Sequence, residues 1–366
     1  MHIGIDARLT YYRRGGISLY IERLTAGLES LETTHRFTIF HSRKAHHPVV
    51  RGRVGHTQLW TPCHHRVERI ALSAELLPHR LDLFHSTDFI PPLRGASRHV
   101  ISVYDLAFLH YPQFLTGESR RYYADQIVYA VGHADHILTI SEASKRDIVS
   151  MLGVSPNKVT VHLLAADESF KPPDPGAAAV VRNALELPET YYLFVGTFEP
   201  RKNILGLARA YKRLIDAQPS APPLVLAGTA GWNFEETQRA IDALHLPDRI
   251  LWRYGIPQEV LPALYGGAVA LLMPSFYEGF GLPALEAMAC GTMPIVSDRS
   301  ALPEVVGDVG VMVSPEDEPG IAEAMRRAWQ DPAWRAEQER QGLERARIFT
   351  WEQVTRTALS VYELFA

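Results

Sequence analysis

The stretch Pro274-Ser275-Phe276-Tyr277-Glu278-Gly279-Phe280-Gly281-Leu282-Pro283-Ala284-Leu285-Glu286 leaves an apolar run at 268–274, crosses a glycine-rich turn and enters a helical pattern. A proline in the first turn suits a helix start, where an amide hydrogen would have no partner anyway. The free N–H groups of that helix start, with the loop amides of Gly279 to Leu282, make a site for anionic or oxygen-rich ligands. Glu278 sits in the turn and Glu286 about one helical turn inside. One carboxylate can therefore face a sugar while the other accepts hydrogen bonds from a ribose diol. Spacing alone equally allows an ordinary strand–helix junction with solvated glutamates.

Outward from this stretch, short β-type runs alternate with helical patterns, the signature of βα units and parallel sheets. Strands are predicted near 2–6, 36–41, 82–85, 98–104, 135–140 and 158–163, and helices near 17–30, 118–132 and 142–151. The proline-rich segment Lys171-Pro172-Pro173-Asp174-Pro175-Gly176 reads as a linker. A second series follows, with strands at 191–196, 223–228, 250–254, 268–274 and 293–297. Asn203 can cap a helix whose apolar residues Ile204, Leu207, Ala208, Tyr211, Leu214 and Ile215 keep a 3.6-residue period. Amphipathic helices at 320–331, 333–346 and 351–365 close the chain.

A length of 366 residues suits two domains better than one. We expect an α/β protein with domains at 1–170 and 171–350, the helix 351–366 packing back on the first. Two cysteines, Cys63 and Cys290, provide neither a disulfide framework nor a zinc site. No apolar run approaches the length that spans a bilayer. The N-terminal residues lack a signal-peptide layout, so a cytoplasmic location is expected. Residues 1–172 carry 20 Lys and Arg against 16 Asp and Glu, and the remainder 17 against 25. Such asymmetry points to two halves with different partners.

Arg201 and Lys202 directly follow the strand that ends at Gly196. Adjacent cations at a strand's carboxyl end suit a diphosphate, Arg as a forked donor and Lys as a point charge. Gly15-Gly16 follows the first strand through Tyr11-Tyr12-Arg13-Arg14 and lets backbone amides approach a ligand. Between residues 35 and 80, eight Lys and Arg face only Glu68 and Glu75 and alternate with Leu59, Trp60, Val67, Ile70 and Leu72. This reads either as a solvated basic face or as a surface for anionic lipid. Nucleic acid is not expected, because no binding motif accompanies the charge.

Glu278 and Glu286 form a Glu-x7-Glu motif, and Glu-Gly-Phe-Gly-Leu-Pro-Ala-Leu-Glu-Ala-Met-Ala-Cys-Gly closely resembles retaining GT-B glycosyltransferases of glycosyltransferase family 4. The resemblance extends to Phe194 through Asn203, Pro257 through Tyr265, Ser300 through Gly307, Gly15 through Tyr20 and Thr139 through Asp147. It implies two Rossmann-like domains facing across a cleft, and hexose transfer from a GDP- or UDP-linked donor to a glycan or lipid-linked acceptor, mannose favoured. It implies donor contacts by Gly15, Gly16, Gly196, Thr197, Ser275, Glu278, Gly279, Phe280, Gly281, Leu282 and Glu286, with Tyr254 and Ile256 holding the base through main-chain groups. Arg201 and Lys202 would neutralise the leaving diphosphate, so neither metal nor cofactor is expected, and the chain holds no Asp-x-Asp triplet. Acceptors of this family imply possible peripheral contact with an anionic membrane.

One departure bears on catalysis. Relatives place histidine before Asp-Leu at the end of a first-domain strand, where it contacts the donor sugar; here the triplet is Tyr104-Asp105-Leu106. A tyrosine hydroxyl donates well but accepts protons poorly near neutrality, so either the sugar sits differently or another group, such as His85, supplies the contact. The competing readings are a non-catalytic nucleotide-sugar-binding subunit and a GT-B epimerase or phosphorylase.

Overall fold

The computed structural model describes all residues except 13–14, 46–51, 53, 66, 115–116 and 247, and no side chains at 114 or 117–121. Arg13 and Arg14, and three cations of the basic segment (Arg51, Arg53 and Arg66), therefore lie outside the described residues. The chain forms two units. One comprises Met1–His110, Thr116–Leu164 and Thr350–Ala366, the other Tyr111–Leu115 and Ala165–Phe349.

The first unit holds β1 (His2–Asp6), β2 (Arg36–Ser42), β3 (Gly55–Leu59), β4 (Leu81–Ser86), β5 (Ala96–Ser102), β6 (His136–Thr139) and β7 (Val159–Val161). They form one parallel sheet in the order β3-β2-β1-β4-β5-β6-β7. The second unit holds β8 (Tyr191–Phe198), β9 (Leu224–Ala230), β10 (Ile250–Tyr254), β11 (Ala268–Met273), β12 (Pro294–Ser297) and β13 (Val311–Val313), parallel in the order β10-β9-β8-β11-β12-β13. Each sheet repeats the doubly wound order, reversing direction once. The reversal falls between β1 and β4 in one unit and between β8 and β11 in the other. At such a switch point the connections leave in opposite directions and open a crevice at the strands' carboxyl ends.

Burial on both faces explains the continuous apolar strands: Tyr191 through Val195 are all buried. On one face of that sheet, Tyr192, Phe194, Leu226 and Leu272 pack with Leu207, Tyr211 and Leu214 of helix Ile204–Ala217 and with Ile321 and Met325. Helix Trp351–Glu363 belongs to the first unit. Thr350 caps it, accepting from the Gln353 amide, and it buries Val354, Ala358, Val361 and Tyr362. It lies so close to helix Gly16–Ser30 that a Cβ on Gly27 would come within 2.1 Å of Thr355 Oγ1.

Sequence reading misses β3, β13 and helix Glu68–Leu76. Strand β3 (GHTQL) is mostly exposed and carries no apolar alternation; β13 has three residues. The end of the expected linker is helix instead: Asp174 accepts from the Ala177 amide and opens helix Pro175–Ala184. A proline at N1 starts this helix rather than breaking one.

Candidate active site

Arg201, Lys202 and Glu278, which sequence reading singles out, converge at the β8/β11 switch point. After β8 the chain makes a short 3-10 turn, Pro200–Lys202, that ends on Asn203 in the left-handed region at φ 56°. Asn203 does not cap the following helix with its side chain, contrary to expectation. Its amide instead donates to the carbonyls of Pro274 (3.0 Å) and Pro315 (2.6 Å), tying the β8 turn to the β11 turn. The Phe276 amide donates to the Arg201 carbonyl at 2.9 Å, closing the second tie.

Between the ties lies a buried ion cluster. Lys202 Nζ donates to both Glu278 oxygens, at 2.6 and 2.8 Å. Ser275 Oγ donates to Glu278 Oε1 at 2.7 Å. Arg201 reaches Glu278 Oε2 at 3.2 Å, the Tyr277 carbonyl at 2.6 Å and Glu199 at 2.7 Å. Burial alone would raise the Glu278 carboxyl, but Lys202, then Arg201, and hydrogen bonds from Lys202 and Ser275 hold it at about 2. Glu278 is thus a fixed anion. Its own amide donates to Ser300 Oγ at 2.9 Å, and Ser300 adopts φ 53°.

Helix Leu282–Ala289 begins at Gly281, with φ 112°. That backbone conformation favours glycine, and a Cβ there would in addition push on Leu302 Cδ2 at 2.6 Å. Pro283 has no amide hydrogen and the Ala284 amide donates to the Gly281 carbonyl at 3.0 Å, so the donor at the positive end of this helix is the Leu282 amide. Glu286 is buried inside the helix and accepts from the Tyr265 hydroxyl at 2.8 Å. Burial raises its carboxyl to about 7; the Tyr265 hydrogen bond opposes this and Asp167 adds to it. The two glutamates of the motif are therefore chemically distinct, one locked as an anion and one poised near neutrality.

Gly196 and Thr197 stand near the carboxyl end of β8, Gly196 facing Gly228 of β9. A Cβ on Gly228 would fall 1.8 Å from the Gly196 carbonyl oxygen, which enforces glycine there. Tyr254 ends β10 half-exposed, and Gly255 (φ 63°) leads to Ile256. Sequence reading missed Glu199, Tyr265 and Ser300, whose partners lie 2, 21 and 22 residues away and are fixed by the fold.

The remaining site candidates lie in the first unit. Gly15, at φ 148°, and Gly16 open helix Gly16–Ser30, where a Cβ on Gly15 would meet nothing. The Tyr104 hydroxyl donates to the Thr87 carbonyl, and burial holds its ionisation well above the usual range. It serves as a backbone clamp and cannot act as a base. His85 is fully buried: Nδ1 bonds the Tyr362 hydroxyl at 2.7 Å, Nε2 bonds Ser102 Oγ at 2.9 Å, and burial lowers it to about 3. It is a neutral core residue linking β4, β5 and the last helix, so it does not replace the absent histidine.

Two doubly wound sheets, with an anion-favouring helix start and paired cations at the switch point of the second, set out the α/β architecture of a glycosyltransferase. The model of the family described as "Glycosyl transferases group 1" matches residues 180–346, and that of "Glycosyltransferase Family 4" matches 14–168. The chain is 33% identical over 283 residues to the O-antigen chain mannosyltransferase B of Escherichia coli, covering 77% of this chain and 74% of that one. It is 30% identical over 230 residues to the serotype-specific mannosyltransferase WbdA of the same organism, 62% of this chain and 28% of the longer relative. The structure of sucrose-phosphate synthase from Thermosynechococcus elongatus superposes with a TM-score of 0.78 at 22% identity, over 99% and 98% of the two chains. The chain belongs to glycosyltransferase family 4 and has the GT-B fold; it is a glycosyltransferase.

Proposed function

We propose that this enzyme transfers mannose from a nucleoside-diphosphate donor to a glycan or lipid-linked glycan acceptor, retaining the anomeric configuration and using no metal or cofactor. The carrying observation is the Lys202–Glu278–Arg201 cluster beside the Gly281–Leu282 helix start. Lys202 and Arg201, held rigidly by Glu278, and the Leu282 amide at the helix start offer fixed donors where the diphosphate gains charge on leaving. Preorganised donors of this kind do the work that a divalent cation would otherwise supply. Both Glu278 oxygens are engaged by cations, which makes it a poor nucleophile and favours front-face attack assisted by the leaving phosphate. Its charge instead stabilises the sugar as positive character develops. Glu286, held by the buried Tyr265 hydroxyl, meets the ribose, and the main chain at 254–256 meets the base. Mannose rests on the names of the relatives. Incubating the purified chain with GDP-mannose, GDP-fucose, UDP-glucose and UDP-galactose, with mass-resolved products, tests this. Consumption of GDP-mannose without any partner protein is expected; no consumption of any donor would favour a binding subunit.

A second observation favours membrane contact. Helix Glu68–Leu76 buries Leu72 and Leu76 but exposes Ile70 (65%) and Ala74, and Val67 before it and Leu77 (60%) after it continue the exposed stripe. An apolar stripe on the solvent side is unusual for a surface helix. Exposed Arg80 follows it, and Leu93-Arg94 is tied to it through Ser73 Oγ at 2.9 and 3.1 Å. Among the described residues no helix is long and apolar enough to cross a membrane, so this face would lie on a bilayer. Co-sedimentation with phosphatidylglycerol vesicles, reduced by Ile70→Ser with Leu77→Ser, is the expected result.

A further inference from the structure

Lys202, Arg201 and Ser275 fix the side chain of Glu278, and a separate part of the chain fixes its backbone. After β12 the chain runs Asp298-Arg299-Ser300-Ala301-Leu302 and enters the short helix Leu302–Val306. Three successive residues of that run grip the turn 278–281. Ser300 Oγ accepts the Glu278 amide at 2.9 Å, and the Ala301 amide donates to the Glu278 carbonyl at 3.4 Å. Leu302 packs so closely on Gly281 that a Cβ there would stand 2.6 Å from Leu302 Cδ2. Both backbone polar groups of Glu278 are therefore held from the β12 turn, while its carboxylate is held from the β8 turn.

The gripping run is itself anchored at both ends. The Asp298 amide donates to the Val313 carbonyl at 2.9 Å, and Arg299 forks onto Glu316 beyond β13 at 2.8 and 2.7 Å. Arg345 of helix Pro332–Ala346 donates to the carbonyls of Glu304 (2.7 Å) and Val305 (3.0 Å). Within this frame Ser300 is the strained member. It sits at φ 53°, in the left-handed region that side chains enter at an energetic cost and glycine enters freely. For the turn alone, glycine would serve better. What serine adds is a hydroxyl, which donates to the Arg299 carbonyl at 2.7 Å and so aims an oxygen lone pair at the Glu278 amide. Backbone strain held in place by its surroundings, one hydrogen bond from a site residue, points to a role in that site.

We propose that Ser300 is a positioning residue for sugar transfer, its hydroxyl fixing the Glu278 backbone and with it the place of the carboxylate against the donor sugar. The proposal rests on the transfer reading for the word donor, and one arm of its test needs no donor. Ser300→Ala keeps the strained backbone and removes the hydroxyl, whereas Ser300→Gly removes both. The melting midpoint should fall in Ser300→Ala and return in Ser300→Gly to the wild-type value or above it. The kcat for GDP-mannose should fall about tenfold in both variants, the scale of one hydrogen bond, while GDP affinity by calorimetry stays unchanged. Amide hydrogen exchange, read by mass spectrometry on peptides covering 276–281, should quicken in both. Activity thus follows the hydroxyl and stability follows the backbone. A kcat that tracks the melting midpoint, recovering in Ser300→Gly, would reduce Ser300 to a structural part and overturn the proposal, as would unchanged exchange at 276–281. A wild type that consumes no nucleotide-sugar would overturn the transfer reading, and the exchange arm would still decide whether Ser300 fixes Glu278.

Discussion

Nucleotide binding should titrate with Glu286. The carboxyl is buried and stands at about 7, raised by burial against the opposing Tyr265 hydrogen bond. If ribose hydroxyls donate to it, only the carboxylate is the full binding form. Each pH unit below that value then costs about tenfold in affinity, or about 1.4 kcal/mol. Between pH 8 and pH 5 the loss reaches roughly a hundredfold, about 3 kcal/mol. Phosphate groups protonate in the same range, near pH 6, so the wild type alone is ambiguous. Glu286→Gln removes the titration and keeps the shape. Calorimetry with GDP and UDP at each half unit from pH 5 to pH 8.5, on both proteins, isolates the carboxyl as the difference between two curves. Parallel curves would refute the assignment.

The free enzyme carries the opposite signature. A carboxyl raised from 4.5 to about 7 by folding stabilises the fold fully below 4.5, and that stability is lost as pH rises through 7. The loss is on the order of 3 kcal/mol. Nucleotide should therefore raise the melting midpoint more at pH 8 than at pH 6.

Glu278→Ala should abolish most turnover and leave the buried Lys202 unpaired, destabilising the chain by roughly 3–5 kcal/mol, read by urea unfolding; equal losses of GDP affinity in Glu278→Ala and Glu286→Ala would contradict the division of roles. Because folding lowers the Glu278 carboxyl from 4.5 to about 2, its contribution is present above pH 4.5 and lost as pH falls through 2, which acid unfolding of the wild type against Glu278→Gln measures. EDTA should leave turnover nearly unchanged, whereas loss restored by Mg²⁺ or Mn²⁺ would refute the metal-free mechanism. Gly281→Ala should cost roughly 1–3 kcal/mol and weaken GDP, since φ 112° strains a residue with a Cβ and Leu302 Cδ2 would have to shift.

The parallel sheets and the donor-side cluster were legible because both depend on short-range patterns. Tyr191 to Gly196 is a buried strand by composition, and the Glu278-to-Glu286 spacing fixes a turn followed by a helix. The pairing inside the cluster was not legible. Arg201 and Lys202 read as cations awaiting a diphosphate, and nothing local shows that Glu278 already engages both. Asn203 misleads for a related reason: its type suits a helix cap, yet two carbonyls, 71 and 112 residues away, claim its side chain. His85 stands at a strand end like a ligand-binding residue, and only the last helix, through Tyr362, reveals it as core. Helix Glu68–Leu76 escaped notice because its apolar residues line two faces, which blurs the period that marks an amphipathic helix.

Buried charge is where the two units resemble each other most. Both place it at the switch point: Asp6, Arg8 and Glu68 beside β1 and β4, Lys202 and Glu278 beside β8 and β11. Elsewhere among the described residues the ion pairs are partly or largely exposed, as where Arg340 pairs with Glu337 and Glu344 along helix Pro332–Ala346, and such pairs contribute little to stability. Removing water from a charge costs several kcal/mol, and apolar residues of the same volume would fill these crevices at no loss of stability. Stability alone therefore gives no reason to put charge at these two places. Rigid placement does: the Arg8 guanidinium, bonded to Asp6, Glu68 and the Thr61 carbonyl, cannot drift, and neither can the loop at Thr61 that it holds. Cutting Arg340 should leave activity untouched, while Arg8→Met, which keeps the volume and removes the donors, should release the Thr61 carbonyl and speed amide exchange at His64, whose amide donates to Glu68, while GDP affinity holds. Loss of GDP affinity in Arg8→Met would show instead that the triad supports the whole fold.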